Sequence, residues 1–405
     1  MNHTYSQPTV KILRNIGKIA LIACLLVLAI ILVIYSIRSL QSFSDFRPYY
    51  HAGERFLKGE NFYNLADGHY LFKYSPLAAL FFAPFSILPY PIAALIWLIL
   101  LWALIALSYF KAVRLEWKKG PVPLWALLLI ILGMSKFVLA EIHLGQVDFL
   151  LLFLTLVSIS TLGKSTEALG GCWFAVAVLF KPPLLLILAL MIWRKRAVFI
   201  LGFLLTLLAG LCFPVLRYGL SGTLHLYQGW WAVLSTSSPG LLSSEVNQSI
   251  FGALNRWFIS NPKGGVLLSL PPKTPLILGI GALICFLLYL WYRDRKYRGA
   301  SELESPVPAM LLLGSVMFSP LGWVQNYVVA LPVLVRTLNN VASEKFNNRW
   351  RLALLSLFFL MAVLPNFELL GRRLYDIYLG QSWIFLGMVC LTFANLLPAH
   401  GKHEA

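Results

Sequence analysis

Long apolar runs separated by short polar breaks extend along almost the whole of this chain of 405 residues. The first run, Ile19–Tyr35, is long enough for about one membrane crossing at the 1.5 Å rise per residue of an α-helix. Hydrophobic residues make up 59% of the chain and charged residues 12%, about half the charged share of a soluble domain. Backbone polar groups in lipid must be paired within their own segment, so such runs fold as helices. The sequence therefore predicts one all-α polytopic membrane domain over residues 1–405.

Lysine and arginine gather at every second break between the apolar runs. This alternation is typical of the positive-inside rule, by which basic loops stay in the cytoplasm. It also accounts for the formal net charge of +17 without a nucleic-acid partner. The clusters are Lys11, Arg14 and Lys18; Lys111, Arg114, Lys118 and Lys119; Arg194, Lys195 and Arg196; Arg293, Arg295, Lys296 and Arg298; and Arg336, Lys345, Arg349 and Arg351.

Following the spans from a cytoplasmic N-terminus predicts about twelve transmembrane segments with both termini in the cytoplasm. The first run has no small-residue cleavage site after it, so we expect a retained helix and not a signal peptide. Two short runs around Pro182-Pro183 are expected to form a broken or re-entrant pair. The predicted spans are Ile19–Tyr35, Leu77–Phe110, Leu124–Leu139, Phe149–Leu162, Leu169–Phe180, Pro183–Trp193, Ala197–Leu216, Leu276–Trp291, Pro308–Phe318, Val328–Val335, Leu352–Leu364 and Ile384–Leu397.

The same count places the long polar loops on the outer face of the plasma (inner) membrane. The first covers residues 38–76, the second residues 217–274 and a third residues 366–381. Two short links, 141–148 and 319–327, lie on that face as well. Nearly all acids, amides and aromatic hydroxyls outside the apolar runs fall in these five places. We therefore expect a functional site on the outer face.

The segment Asp45-Phe46-Arg47-Pro48-Tyr49-Tyr50 follows the first apolar run and places a carboxylate beside a guanidinium and two phenols. A carboxylate in a polar, aromatic loop at a membrane surface suits general acid–base chemistry. Asp45 could equally cap the segment that follows it. The next stretch, residues 51–59, has the pattern of an interfacial helix ended by Gly59.

Lys181 lies between two short apolar halves, where an unpaired ammonium costs about a few kcal/mol. Phosphate is the anion expected to receive it. The outer loops also carry phenol, amide, guanidinium and indole groups, which suit the recognition of sugar hydroxyls and phosphate. The further candidates for substrate binding are Tyr49, Tyr50, Tyr74, Gln146, Asp148, Asn247, Gln248, Arg256, Trp323, Gln325 and Asn326.

The motifs of several soluble enzyme classes are missing from the sequence. It has no phosphate-binding P-loop, no GxGxxG, no GxSxG and no HExxH, and it lacks the DxD pair of metal-dependent sugar-nucleotide enzymes. ATP, NAD and a cytosolic nucleotide sugar are therefore not expected as substrates. The five cysteines lie in apolar runs without a CxxC pair, so we expect neither a metal site nor a cofactor.

Several different short motifs follow one another along the chain. They are Asp45 with Tyr49-Tyr50 and Ala52; Gly59 with Tyr63; Tyr74-Ser75-Pro76 with Pro84 and Pro89; Gly145-Gln146-Val147-Asp148; Lys181-Pro182; Asn247-Gln248-Ser249 with Arg256; and Ser319-Pro320 with Trp323. In this order they resemble the GT-C membrane glycosyltransferases of family 87, the polyprenol-phosphate-mannose-dependent mannosyltransferases. The resemblance extends from about residue 45 to about residue 335.

The resemblance implies a GT-C-like helical bundle that moves a hexose or pentose, such as mannose, from a polyprenyl-phosphate donor. The acceptor would be a hydroxyl of a glycolipid or surface glycan, and the anomeric carbon would be inverted. Asp45 matches the general base of the family, while Lys181 and Arg256 are expected to hold the departing phosphate. Family members often carry histidines where this chain has Gln325 and Asn326. An amide can hydrogen-bond a phosphate but cannot exchange protons near neutral pH.

The sequence is also compatible with two other functions. A transporter or flippase for lipid-linked sugars is favoured by the broken helix near Pro182 and opposed by the lack of an internal repeat. An O-antigen ligase or polymerase, which uses a diphosphate-linked oligosaccharide, would share the same topology. The choice of donor and the formation of a glycosidic product distinguish the three.

Overall fold

The computed structural model describes residues 30–297 and 304–398, and every regular element in these ranges is helical. This confirms the predicted all-α class for the described part of the chain. The first basic cluster, most of the predicted span Ile19–Tyr35 and Arg298 lie outside the described residues. The helices are α1 (Ile30–Ser39), α2 (Phe46–Lys58), α3 (Pro76–Phe82), α4 (Tyr90–Glu116), α5 (Leu124–Leu144), α6 (Asp148–Ile159), α7 (Glu167–Phe180), α8 (Leu188–Trp193), α9 (Ala197–Cys212), α10 (Val215–Ser237), α11 (Ile250–Phe258), α12 (Thr274–Arg295), α13 (Val307–Met317), α14 (Leu331–Ser343), α15 (Arg349–Phe358), α16 (Phe367–Gly380) and α17 (Trp383–Leu396).

Three helices, α4, α5 and α12, are long and apolar enough to cross a membrane by length and composition. Two further pairs are sharply bent. Ala197–Cys212 meets Val215–Leu241 at 82°, and Arg349–Val363 meets Phe367–Gly380 at 88°. Counting each bent pair as one span gives up to five. The count of about twelve crossings stays a prediction.

Apolar side chains cover the outside of the bundle as well as its interior. Leu205 on α9 is 61% exposed, and Ile277 and Leu288 on α12 are 66% and 60% exposed. A soluble monomer rarely presents so much contiguous apolar surface to water, whereas lipid accommodates it. These surfaces and the long apolar helices indicate a membrane protein.

Prolines interrupt the helices at two places, of which the sequence predicted one. The prediction of a single helix over Leu77–Phe110 is wrong, because α3 ends at Phe82 and α4 begins only at Tyr90. Pro84 and Pro89 lie between the two helices, and a proline lacks the N–H that would continue the helical hydrogen bonds. The break expected at Pro182-Pro183 is present: α7 ends at Phe180, and a 3₁₀ turn over Pro182–Ile187 precedes α8.

The segments predicted as outer loops contain much helix. Loop 38–76 holds α2, which ends as expected at Gly59, where φ is 75°. Loop 217–274 holds most of α10 and all of α11, and loop 366–381 holds α16. The link 141–148 is shorter than predicted, because α5 continues to Leu144. Glu141 and Ile142 in its last turn are buried, which an apolar count cannot detect in a polar stretch.

Helices α7 and α9 approach each other closely through glycines. A Cβ atom added to Gly171 would overlap the carbonyl oxygen of Phe199, and one added to Gly202 would overlap that of Ala168. Small residues at such crossings let two helix backbones pack in van der Waals contact, which drives association inside a membrane. This crossing fixes α7, and with it the position of Lys181 at the end of that helix.

The two ends of the bundle differ in charge. At one end, Arg194 donates to Asp294 at 3.0 Å, and Arg336 donates to Glu116 at 2.5 Å. The first pair joins the ends of α8 and α12, and the second joins the end of α4 to the middle of α14, so several of the basic clusters meet there. At the opposite end, α2 meets the junction of α5 and α6. We call this the Asp45 end.

Candidate active site

Asp45 stands directly before α2 and is tied to the end of α5. Its backbone N–H donates to the carbonyl oxygen of Leu144 at 3.0 Å. Asp45 occupies the N-cap position of α2, but its side chain makes no capping hydrogen bond. Its Oδ2 accepts a hydrogen bond from Gln146 Nε2 at 2.5 Å. Of the two interpretations open on the sequence, the capping one is therefore wrong, and the carboxylate is directed into a polar cluster.

Gln146 connects this carboxylate to two phenols. It follows Gly145, which ends α5 in the left-handed region with φ 69°. Its Oε1 lies 2.7 Å from Tyr49 OH and 3.1 Å from Tyr74 OH. Because a carboxylate can only accept hydrogen bonds, the amide N–H must face Asp45, and Oε1 then receives the phenol donors. The side chain of Gln146 is thus fixed in one orientation.

Burial keeps the two phenols protonated. It raises the pKa of Tyr49 well above its usual value and that of Tyr74 to about 12. Both groups therefore remain hydrogen-bond donors at neutral pH. The phenols also lie 3.0 Å from each other, so the cluster of Asp45, Tyr49, Tyr74 and Gln146 is continuous.

Lys73 was not among the predicted site residues, although it belongs near this cluster. Burial lowers the pKa of its ammonium, and the charge of Asp45 opposes that shift. The ammonium is therefore within electrostatic reach of the carboxylate. A lysine in a polar loop carries no local sequence signal of this kind, because only the fold brings residues 45 and 73 together.

A second cluster lies two residues further along the chain. Asp148 begins α6, is 4% exposed and forms an ion pair with Lys181. Its other oxygen, Oδ2, accepts from Asn326 Nδ2 at 2.7 Å, and Asn326 Oδ1 accepts from the backbone N–H of Trp323 at 2.9 Å. Each atom of the buried carboxylate thus has a partner, as a charge at low dielectric requires.

Glu141 lies beside this second cluster and was also missed as a site residue. It is fully buried in the last turn of α5, where Oε1 accepts from the backbone N–H of Phe149 at 3.1 Å. Its Oε2 has no hydrogen-bond partner among the residues that the structure describes. Glu141 interacts electrostatically with both Asp148 and Lys181. The sequence signal was an acid just after an apolar run, which we interpreted as part of a loop.

Arg256 lies in a different set of contacts. Its fully buried guanidinium donates to the carbonyl oxygen of Gly380 at 3.1 Å, to Ser382 Oγ at 2.7 Å and to the carbonyl oxygen of Ser244. Burial lowers its pKa to about 10. In this structure Arg256 therefore joins α11 to the α16–α17 turn, and its role in binding phosphate stays a prediction.

Asn247 and Gln248 also bind backbone groups of their own chain. Asn247 Nδ2 donates to the carbonyl oxygens of Leu242 and Pro320, both at 3.1 Å. Gln248 Nε2 donates to those of Glu245 at 2.6 Å and Leu379 at 2.9 Å. These contacts hold the second outer segment against the rest of the bundle, and substrate binding by the two amides stays a prediction.

The remaining predicted residues are more peripheral. Adjacent residues of a helix point about 100° apart, so Tyr50 does not share the contacts of Tyr49. Its hydroxyl donates instead to the carbonyl oxygen of Leu88 at 2.9 Å. Gln325 is partly exposed in the turn before α14. Within the two described ranges, no group of three or more His, Cys, Asp or Glu residues is placed to hold a metal ion.

The fold and the site define a class of protein: an all-helical membrane protein with an oriented carboxylate at one end of its bundle. The sequence model for glycosyltransferase family 87 matches residues 72–320, more than half of the chain. The chain belongs to glycosyltransferase family 87, as its ordered motifs predicted. No curated protein and no solved structure matches it. Asp45 and Tyr49 precede the matched range and Asn326 follows it. The proposals for these three residues therefore rest on their positions in the structure and not on the family match.

Proposed function

We propose that the protein transfers a sugar, such as mannose or another hexose or pentose, from a polyprenyl-phosphate donor to a hydroxyl of a glycolipid or surface glycan. Transfer takes place at the Asp45 end, on the outer face of the plasma membrane. The observation that carries this proposal is the Asp45 carboxylate, which is held by Gln146 and does not cap α2. Family membership supports glycosyl transfer as the reaction class.

In the proposed reaction the acceptor hydroxyl oxygen attacks the anomeric carbon as its proton moves to an Asp45 oxygen. The bond from the anomeric carbon to the phosphate oxygen breaks, and its electron pair stays on the phosphate. Attack opposite the leaving group inverts the anomeric carbon. A phosphate monoester with a second pKa near 6 is a weak base, so the leaving group needs no protonating acid. One general base is therefore sufficient.

Cations near Asp45 are suited to hold the phosphate. Lys73 is half-buried and feels the charge of the carboxylate, and no hydrogen bond from its ammonium is seen among the described residues. Lys181 lies in the second cluster, where it already pairs with Asp148. We propose Lys73 as a phosphate-binding residue in addition to Lys181 and Arg256, because a positioned ammonium binds phosphate as a point charge.

The adjacent phenols Tyr49 and Tyr50 provide a matched test of this arrangement. Tyr49→Phe removes the hydroxyl that donates to Gln146 and lies 3.0 Å from Tyr74 OH, whereas Tyr50→Phe removes a hydrogen bond to Leu88, about 100° further round the helix. We expect Tyr49→Phe to slow sugar transfer between about two- and tenfold, the effect of one hydrogen bond. Tyr50→Phe is expected to keep the wild-type rate. The measurement is transfer of radiolabelled mannose from polyprenyl phosphate by purified protein in lipid nanodiscs.

Equal rates for the two variants would show that the Gln146 cluster does not orient the base. A slower Tyr50→Phe beside an unchanged Tyr49→Phe would place the reaction on the side of α2 that carries Tyr50. Thermal unfolding of both variants verifies that neither loses its fold.

A further inference from the structure

A cavity of about 340 Å³ lies against α2, on the side away from Tyr49. Arg47, His51 and Arg55 line it, and their spacing of four residues places all three on one stripe of the helix. The buried stripe of α2, which includes Phe46, Tyr49 and Phe56, packs into the protein instead. One helix therefore separates the cavity from the Asp45 cluster.

The wall opposite α2 comes from the segment that follows it. Asp67 lines the cavity and binds Arg55 through two parallel hydrogen bonds of 2.5 and 2.9 Å. Phe62 and Phe72 line it as well, with their rings edge to face at 5.7 Å. The cavity thus combines charged donors, a charged acceptor and aromatic rings.

This combination favours a sugar ring as the occupant. Each sugar hydroxyl both donates and accepts a hydrogen bond, so a site for it needs both kinds of group, and aromatic rings suit its apolar C–H face. A phosphate is less well suited, because Asp67 already occupies the guanidinium fork of Arg55 and faces an incoming anion. A lipid tail would leave the charges of Arg47, Arg55 and Asp67 without water.

The cavity also lies close to the proposed reaction. Arg47 follows Asp45 by two positions, about 3 Å along the helix axis, and His51 by six, about 9 Å. We infer that this cavity is the acceptor subsite: it binds a sugar ring of the acceptor glycan while the reacting hydroxyl reaches Asp45 around the first turn of α2. The inference rests on the proposed function for the identity of the acceptor, but binding itself can be measured without transfer.

The test is saturation-transfer NMR on the full-length protein in nanodiscs without donor. The probes are methyl glycosides of mannose, glucose, galactose, arabinose and xylose at millimolar concentration. His51 is half-exposed at the cavity, so His51→Trp narrows the cavity without burying a new group. The matched control is His225→Trp, an exposed position on α10. A second variant, Asp67→Asn, removes the charged acceptor while keeping its size.

We expect at least one methyl glycoside to bind the wild-type protein and His225→Trp equally. His51→Trp and Asp67→Asn are expected to weaken its binding by about tenfold or more. Binding that survives both cavity variants, or no binding of any methyl glycoside to the wild-type protein, would overturn the inference. So would loss of the sugar signal on addition of inorganic phosphate, which would indicate an anion site. Failure of sugar transfer in every assay would refute the proposed function and leave this binding result unaffected.

Discussion

Replacing Asp45 with asparagine is expected to slow sugar transfer by about two to four orders of magnitude, the contribution typical of a general base. The amide has the size of the carboxylate and can still accept a hydrogen bond from Gln146, but it cannot take up the acceptor proton. The fold should persist, because the Asp45 side chain does not cap α2. The measurement is the turnover number of purified protein at saturating donor and acceptor, beside its thermal unfolding.

Asp376→Asn is the matched control for this change. Asp376 lies on α16, where it pairs with Lys263 at 3.2 Å at a partly exposed position. The same loss of one carboxylate there should leave turnover within about a factor of two, since exposed ion pairs contribute little. A wild-type turnover number for Asp45→Asn would show that Asp45 is not the general base.

Lys181→Ala is expected to destabilise the protein more than it impairs donor use. The change leaves Asp148, which is 4% exposed, without its cation, and stranding one partner of a buried pair costs about 3–5 kcal/mol. Lys181→Arg should recover part of the stability, because the charge remains while the geometry differs. Lys73→Ala is the contrasting variant, since it removes a cation that has no carboxylate partner at hydrogen-bond distance in the part of the chain that the structure describes. It is expected to raise the donor KM with little change in melting temperature.

Thermal unfolding in detergent and donor titrations, performed on the same preparations, distinguish the two lysines. If Lys181→Ala has a clearly lower melting temperature but an unchanged donor dependence, Lys181 does not bind the donor phosphate. An unchanged melting temperature with a raised donor KM would contradict the stabilising role of Lys181 and leave only its role in binding phosphate.

The sequence predicted the parts of the fold that depend on local chemistry. Gly59 ends α2 because a glycine adopts positive φ without strain, and Pro182-Pro183 break the chain after α7 because proline cannot continue a helix. The bends of 82° and 88° were not predictable in the same way. A proline lies at each break, Pro214 before α10 and Pro365 before α16, and it explains why the helix stops there, but an apolar count along the chain gives no angle between the two halves.

The sequence predicted candidate residues for the site but not the geometry that joins them. The motif that ends in Asp148 and the acid at Asp45 were found from their types and order. The hydrogen bond between residues 45 and 146 spans about a hundred positions, so only the fold shows that Gln146 holds the Asp45 carboxylate. The contacts of Arg256 were equally invisible in the sequence: its donors bind carbonyl and hydroxyl oxygens of its own chain, and its role in binding phosphate stays a prediction.

The most direct test of the proposed transfer uses wild-type protein reconstituted into liposomes with a fluorescent polyprenyl-phosphate sugar and a glycolipid acceptor. Two quantities are followed together: the sugar that moves between leaflets, and the anomeric configuration of any glycosidic product, determined by NMR. The proposed function predicts a new glycosidic bond whose configuration is inverted relative to the donor. Sugar that crosses between leaflets without any glycosidic product would contradict it and identify the protein as a transporter of lipid-linked sugars.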